Sequence, residues 1–180
     1  MEFGRKRNPY ESSTPAYKLN IENDMRAISH ASFVVHTLGK AGPTTSDNHW
    51  SIYLILADNS GSVRVNMAAE YGDTTGHLVW TGHSYALTTS ALKNWDFVTT
   101  PGTTVASIAM LIYANGRDKY QMSGGGSGCR YWVYTITYDL SRVGCIAENC
   151  YSILWPHLQF QYHRNGGLKA LNWVEGTFNA

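Results

Sequence analysis

The stretch His49–Glu70, HWSIYLILADNSGSVRVNMAAE, constrains the fold more than any other part of the chain. Trp50, Ile52, Leu54 and Leu56 alternate with His49, Ser51 and Tyr53. A period of two marks a strand, because successive side chains there point to opposite faces. The turn formers Asp58, Asn59, Ser60 and Gly61 follow, and then Val63, Val65 and Met67 alternate with Arg64, Asn66, Ala68 and Glu70. A tight antiparallel hairpin keeps facing residues on a common side of the sheet. The hairpin therefore has an apolar face and a polar face, and His49 shares the polar one with Asn66 and Glu70. Pairing Leu56 with Val63 sets Tyr53 against Asn66 and His49 against Glu70. A slip of one residue would reverse every face.

The flanking sequence extends this hairpin into a sheet and adds helices. Met25–Thr37 is rich in β-branched and aromatic residues and reads as a preceding strand. HLVWTGHSYAL, from His77, reads as a third strand of a meander, with His77, Val79, Thr81, His83 and Tyr85 on one face. Asn94 to Gly102 reads as a loop. Thr103 or Thr104 then caps a helix carrying Val105, Ile108, Leu111 and Ile112, stopped by Asn115-Gly116. Cys129–Leu140 is ambiguous. Its Tyr, Trp, Val, Thr and Ile content favours a strand, yet Cys129, Trp132, Val133, Ile136 and Leu140 recur at helical spacing, with Gly144 as a stop. A further helix near Tyr151–Phe160, a turn at Gly166-Gly167 and a closing strand in LKALNWVEGTF complete the reading. Residues 1–20 are polar, with Pro9 and Pro15, and read as a flexible arm before a single domain over residues 21–180. The fold class expected is α+β, an antiparallel β-meander sheet packed against helices.

Composition narrows the function. Of the 180 residues, 43% are apolar and 15% charged, which suits a packed core and argues against disorder. Fourteen Lys and Arg against 13 Asp and Glu leave a net charge of +1, so the basic excess of a nucleic-acid partner is missing apart from Arg5–Arg7. No apolar run approaches the ~20 residues of a membrane helix. No signal-like segment follows the basic N-terminus, and the expected location is cytoplasmic, with reduced thiols. Cys145 and Cys150 lack a second Cys/His pair at zinc-site spacing, so no metal and no cofactor is expected.

One residue stands out chemically. Cys129 follows GGGSG. At a helix start, the dipole and the free N–H groups stabilise a thiolate, and the same N–H groups can bind an acyl oxyanion. Glycines clear an approach to the sulfur. Such a nucleophile needs a base and a group to orient that base. On the polar hairpin face, His49 is the candidate base and Asn66 or Glu70 the candidate orienter. His30, His36, His77, His83, His157 and His163 are competitors, of which His77 and His83 could replace Asn66 as orienter or His49 as base. Tyr53, Arg64, His83 and Trp132 are the candidate substrate contacts. The aromatic group Tyr131, Trp132, Tyr134 and Tyr138 otherwise reads as core.

The string NHWSIYLIL on a strand, followed by a hairpin, resembles the His-bearing strand of circularly permuted papain-fold proteins. These include the lecithin:retinol acyltransferase-like, PPPDE-type and NlpC-like groups. Tyr120, Cys129 and Trp132 match the Tyr-x8-Cys-x-x-aromatic part of their cysteine segment. The resemblance covers about Asn48 to Arg142. It implies a papain-like architecture, Cys129 as nucleophile, His49 as base, and a helix over Cys129–Leu140. Gly128 stands where those groups carry Asn, and Asn66 is the nearest polar counterpart of the acyltransferases' second His. GSGCRYWVYT together with NHWSIYLIL is also similar to small fungal proteins.

Three functions compete on this scaffold. The first is a cysteine hydrolase or acyl/amide transferase acting on a small ester, thioester or amide. It expects selective labelling of Cys129 near pH 6 that is lost on His49→Ala. The second is a non-hydrolytic cyclase, isomerase or ligand-binding protein of fungal secondary metabolism, indifferent to Cys129→Ala. The third is an interaction domain without catalysis.

Overall fold

In the computed structural model, residues 19–37, 48–69, 73–123 and 128–180 are described. The residues 1–18 of the expected arm, Glu70 and the glycines 124–126 lie outside them. Five antiparallel strands form the main sheet: β1 (Ile28–Thr37), β2 (Asn48–Leu56), β3 (Ser62–Ala68), β4 (His77–His83) and β5 (Ala91–Val98), in the order β4-β3-β2-β1-β5. Helix α1 (Val105–Ala114) follows, then β6 (Tyr120–Gln121), α2 (Cys129–Arg142), α3 (Cys150–Leu154), β7 (Phe160–Tyr162), β8 (Leu168–Ala170) and β9 (Thr177–Phe178). The protein is α+β.

The hairpin turn forms where its residues allow. Asn59 has φ 60° and Gly61 φ 141°. A Cβ on Gly61 would lie 1.9 Å from the His83 carbonyl oxygen, so only glycine fits beneath the incoming end of β4. Tyr53 pairs with Arg64 and Leu54 with Val63. The register therefore differs by two residues from the expected one, because the turn is centred one residue earlier, with the Leu56 N–H donating to the Gly61 carbonyl. A slip of two leaves every face unchanged, and the apolar set Trp50, Ile52, Leu54, Leu56, Val63, Val65 and Met67 lies together in the core.

The helices cover that apolar face. On α1, Thr104 and Ser107 form a reciprocal capping box, and Val105, Ile108 and Ile112 point inward. On α2, Trp132, Val133, Ile136 and Leu140 are buried, so helical periodicity prevails over local strand propensity in Cys129–Leu140. The helix ends at Val143 and Gly144, the latter at φ 74°.

Four expectations need correction. Ala91–Val98 is a strand, where a loop was expected from Asn94 onward. It is an edge strand on which the exposed Lys93 shares the face of Trp95 and Phe97, its ammonium 5.6 Å from the Trp95 ring, so its pattern is not cleanly apolar. The third strand stops at His83 rather than running on to Leu87. The tail is not one closing strand but two short ones, β8 and β9, with no strand between them. The helix expected over Tyr151–Phe160 is a five-residue α-helix continued by a 3-10 turn over Trp155–Gln159, where Pro156 sits.

Candidate active site

The site begins with a split in the sheet. The β2–β3 ladder ends at the Ile52–Val65 pair. Beyond it, Asn48–Ser51 stay paired with β1, and Asn66–Ala68 stay paired with β4. Cys129, the first residue of α2, enters at this opening, where the Trp50 N–H donates to its sulfur. The N–H groups of Cys129 and Arg130 also point at the sulfur.

Gly128 explains how the helix starts there. Its φ is 124°, and a Cβ would lie 3.0 Å from the Tyr120 hydroxyl. That hydroxyl donates to the Gly128 carbonyl at 2.8 Å and accepts the Gly176 N–H at 3.0 Å. Tyr120 thus clamps the helix start to the chain's tail, which gives the Tyr–Cys spacing a structural cause. A side chain at position 128, such as Asn, would face both the strained backbone and this hydroxyl.

His49 precedes Trp50 on β2 and turns its imidazole across the split to Asn66. Nε2 bonds to the Asn66 Oδ1. An amide oxygen only accepts, so Nε2 carries the proton and Nδ1 keeps the lone pair. The structure therefore joins two of the three expected catalytic side chains directly. It brings the third to the backbone of the residue next to His49.

Burial governs the charges. Loss of water lowers the His49 pKa to about 4, partly offset by the Asn66 bond and reinforced by the nearby Arg64 guanidinium. Burial also raises the Cys129 thiol above its ordinary value, against the opposing pull of the Trp50 N–H, the Arg130 charge and the helix-start N–H groups. At neutral pH both groups are uncharged. Transfer of the thiol proton to His49 in the resting protein is therefore unfavourable. The low-pH labelling of Cys129 expected from a pre-formed thiolate does not follow from this environment.

The candidate substrate contacts fall in two places. Trp132 is wholly buried, and its indole N–H donates to the Arg117 carbonyl at 2.8 Å. It is a core residue, not a pocket wall. Tyr53, Arg64 and His83 lie on the polar sheet face, and all three are buried. There Arg64 Nε donates to Ser51 Oγ at 3.1 Å, and Ser51 bonds to His36 Nε2 at 2.6 Å. His36 Nδ1 lies 3.1 Å from Ser90 Oγ. The chain runs consistently if Ser51 donates to Nε2 and Nδ1–H donates to Ser90, which makes His36 neutral; burial and Arg64 lower its pKa to about 2. In the sequence His36 stands only as one of several competing histidines, and Ser51 carries no assigned role. Both sit at polar-face positions of the strand alternation, the one signal that could have found them. Among the described residues, no three His, Cys, Asp or Glu side chains form a group able to hold a metal. No helix there is long and apolar enough to cross a membrane.

Residues 31–179 match the family model of a domain of unknown function, DUF7770. No curated protein and no solved structure matches the chain. The match spans most of the sequence, and the chain belongs to the DUF7770 family.

Proposed function

We propose that the protein is a cysteine-dependent hydrolase or acyl/amide transferase acting on a small ester, thioester or amide. The observation that carries this reading is the meeting of the α2 start with the His49–Trp50 edge of β2, beside the His49–Asn66 bond. The resemblance to permuted papain-fold enzymes supports it, as does the order of roles, with His49 as base, Asn66 as orienter and Cys129 as nucleophile.

In this mechanism the Cys129 sulfur attacks the substrate carbonyl carbon while its proton passes to His49 Nδ1. The carbonyl π pair moves to oxygen, and the backbone N–H groups at the helix start supply the donors to that oxyanion. Asn66 holds the imidazolium through Nε2–H. Collapse of the tetrahedral intermediate breaks the bond to the leaving group, which takes the proton back from His49. A water or an acceptor amine or alcohol then gives a proton to His49 and attacks the thioester, releasing product and the thiol. Both partners start neutral, so proton transfer accompanies attack instead of preceding it.

The test is single-turnover acylation with p-nitrophenyl acetate. One equivalent of p-nitrophenol should appear as a burst, with the acetyl group on Cys129 by peptide mass spectrometry. Cys129→Ala should abolish it, and His49→Ala should slow it by roughly 100-fold or more, the usual share of a general base. The acylation rate should fall as pH drops toward the His49 value of about 4, not near 6.5. Equal acetylation of Cys129, Cys145 and Cys150, or a burst unchanged in His49→Ala, would defeat the reading.

A further inference from the structure

Away from the sheet, the outer side of α2 faces a groove of about 420 Å³ that the function above does not use. Tyr131 and Tyr134 come from α2, Tyr151 from α3, Trp155 from the turn after it, and Trp173 and Glu175 from the tail. The rings stand as walls of a corner. Tyr134 and Tyr131 meet Trp173 at interplanar angles of 86° and 88°. Trp155 meets both Trp173 and Tyr134 at 64°, with centroids 4.5 and 5.1 Å away. The Trp173 indole N–H donates to Glu175 Oε1 at 2.9 Å, which fixes a carboxylate on the rim.

The walls contain no Lys or Arg. Arg130 does stack 5.5 Å from the Trp173 ring, but it is tied to the carbonyls of Leu158 and Asn172 and lies outside the lining. It shows that Trp173 already accepts a cation. Trp155 remains 39% exposed, a large apolar surface left to water. Ring faces are electron-rich and attract cations, while the lone carboxylate supplies the matching charge. Besides the Glu175 carboxylate, the polar side-chain groups of the lining are the hydroxyls of Tyr131, Tyr134, Tyr151 and Ser152; the corner itself is made of ring faces, which suit an alkylated ammonium because it needs no hydrogen-bond acceptor.

We propose that this groove binds a soluble organic cation bearing a quaternary or trialkyl ammonium group. The head sits in the corner of Tyr134, Trp155 and Trp173, and Glu175 faces its charge. The site is independent of Cys129 chemistry.

Calorimetric titration of the full chain with choline, against its uncharged carbon isostere 3,3-dimethyl-1-butanol, tests this. Choline should bind roughly tenfold tighter or more, the fold-change that a cation–π contact of this kind supplies. Glu175→Gln and Trp155→Leu, both at exposed positions, should each shrink that ratio by roughly threefold or more, while Cys129→Ala should leave it unchanged. Equal affinity for choline and isostere would overturn the proposal, as would no choline binding in the millimolar range or a ratio indifferent to both groove variants. Capture by phosphatidylcholine vesicles without binding of free choline would overturn the assignment to a soluble ligand.

Discussion

The two faces of the main sheet are both buried, yet they are built from opposite materials. One carries Phe33, Val35, Trp50, Ile52, Leu54, Val63, Val65 and Met67 beneath α1 and α2. The other carries Ser32, His36, His49, Ser51, Arg64, Asn66 and His83, every one of them under 9% exposed. Tyr85, Leu87 and Ala91 pack against its small apolar island of Val34, Tyr53 and Ile55. The first face is held by removal of apolar surface from water, which is non-directional. The second is held by hydrogen bonds, and an unmet buried polar group, such as His83 Nδ1 there, costs about 1–3 kcal/mol. The apolar face can tolerate imperfect fit and still be a core. The polar face works only as a network, and the His49–Asn66 pair is part of that network.

This difference can be broken from either side. The largest effect should come from the apolar face. Trp132→Ala removes a fully buried ring and its bond to Arg117, and should cost about 3–5 kcal/mol by urea unfolding. A loss below ~1 kcal/mol would mean that α2 does not pack as described.

The polar face should answer to pH, where the apolar face should not. His49 has a folded pKa of about 4 and His36 of about 2, both below the ordinary 6.5. Below 6.5 the unfolded chain takes up protons that the folded chain refuses. The stabilisation is therefore full above pH 6.5 and drains away as pH falls toward 4 for His49, and further for His36. Near pH 4 the His49 share of that loss is about 3 kcal/mol. Urea midpoints measured from pH 7 down to 4 should fall steadily. A flat profile would show that these rings take up protons in the folded state.

A smaller effect should follow from Ser51→Ala. It strips one hydroxyl and leaves His36 Nε2 and Arg64 Nε without that shared partner, for a loss of about 2 kcal/mol. A near-neutral result would show that water enters the network and that this face is not sealed.

The same contrast explains what was legible in the sequence. Alternation identified which hairpin residues share a face, and it survived an error of two in register because parity was kept. It could not reveal that the polar face is buried, since a solvated strand face has the same alternation. The burial of His36, Ser51, Tyr53, Arg64 and His83 is hidden in the sequence for that reason. The ambiguity at Cys129–Leu140 was decided by tertiary packing, which local propensity does not contain. Trp132 shows the reverse failure, because a residue three after the candidate nucleophile sits one helical turn on and faces the core. The aromatic residues Tyr131 and Tyr134 read as core, yet they line an open groove with Trp155 and Trp173, which only the folded tail brings near. The Glu70 alternative for the orienting role lies outside the described residues, and Asn66 bonds to His49.

The role proposed for His49 requires a neutral imidazole, protonated on Nε2 toward Asn66, with Nδ1 within reach of Cys129. Nitrogen-15 NMR of the histidine rings measures this directly. His49 should show an Nε2–H tautomer at pH 7, titrating near pH 4, with an Nδ1 resonance that moves when Cys129 is methylthiolated. An Nδ1–H tautomer, or an Nδ1 signal indifferent to that modification, would contradict it.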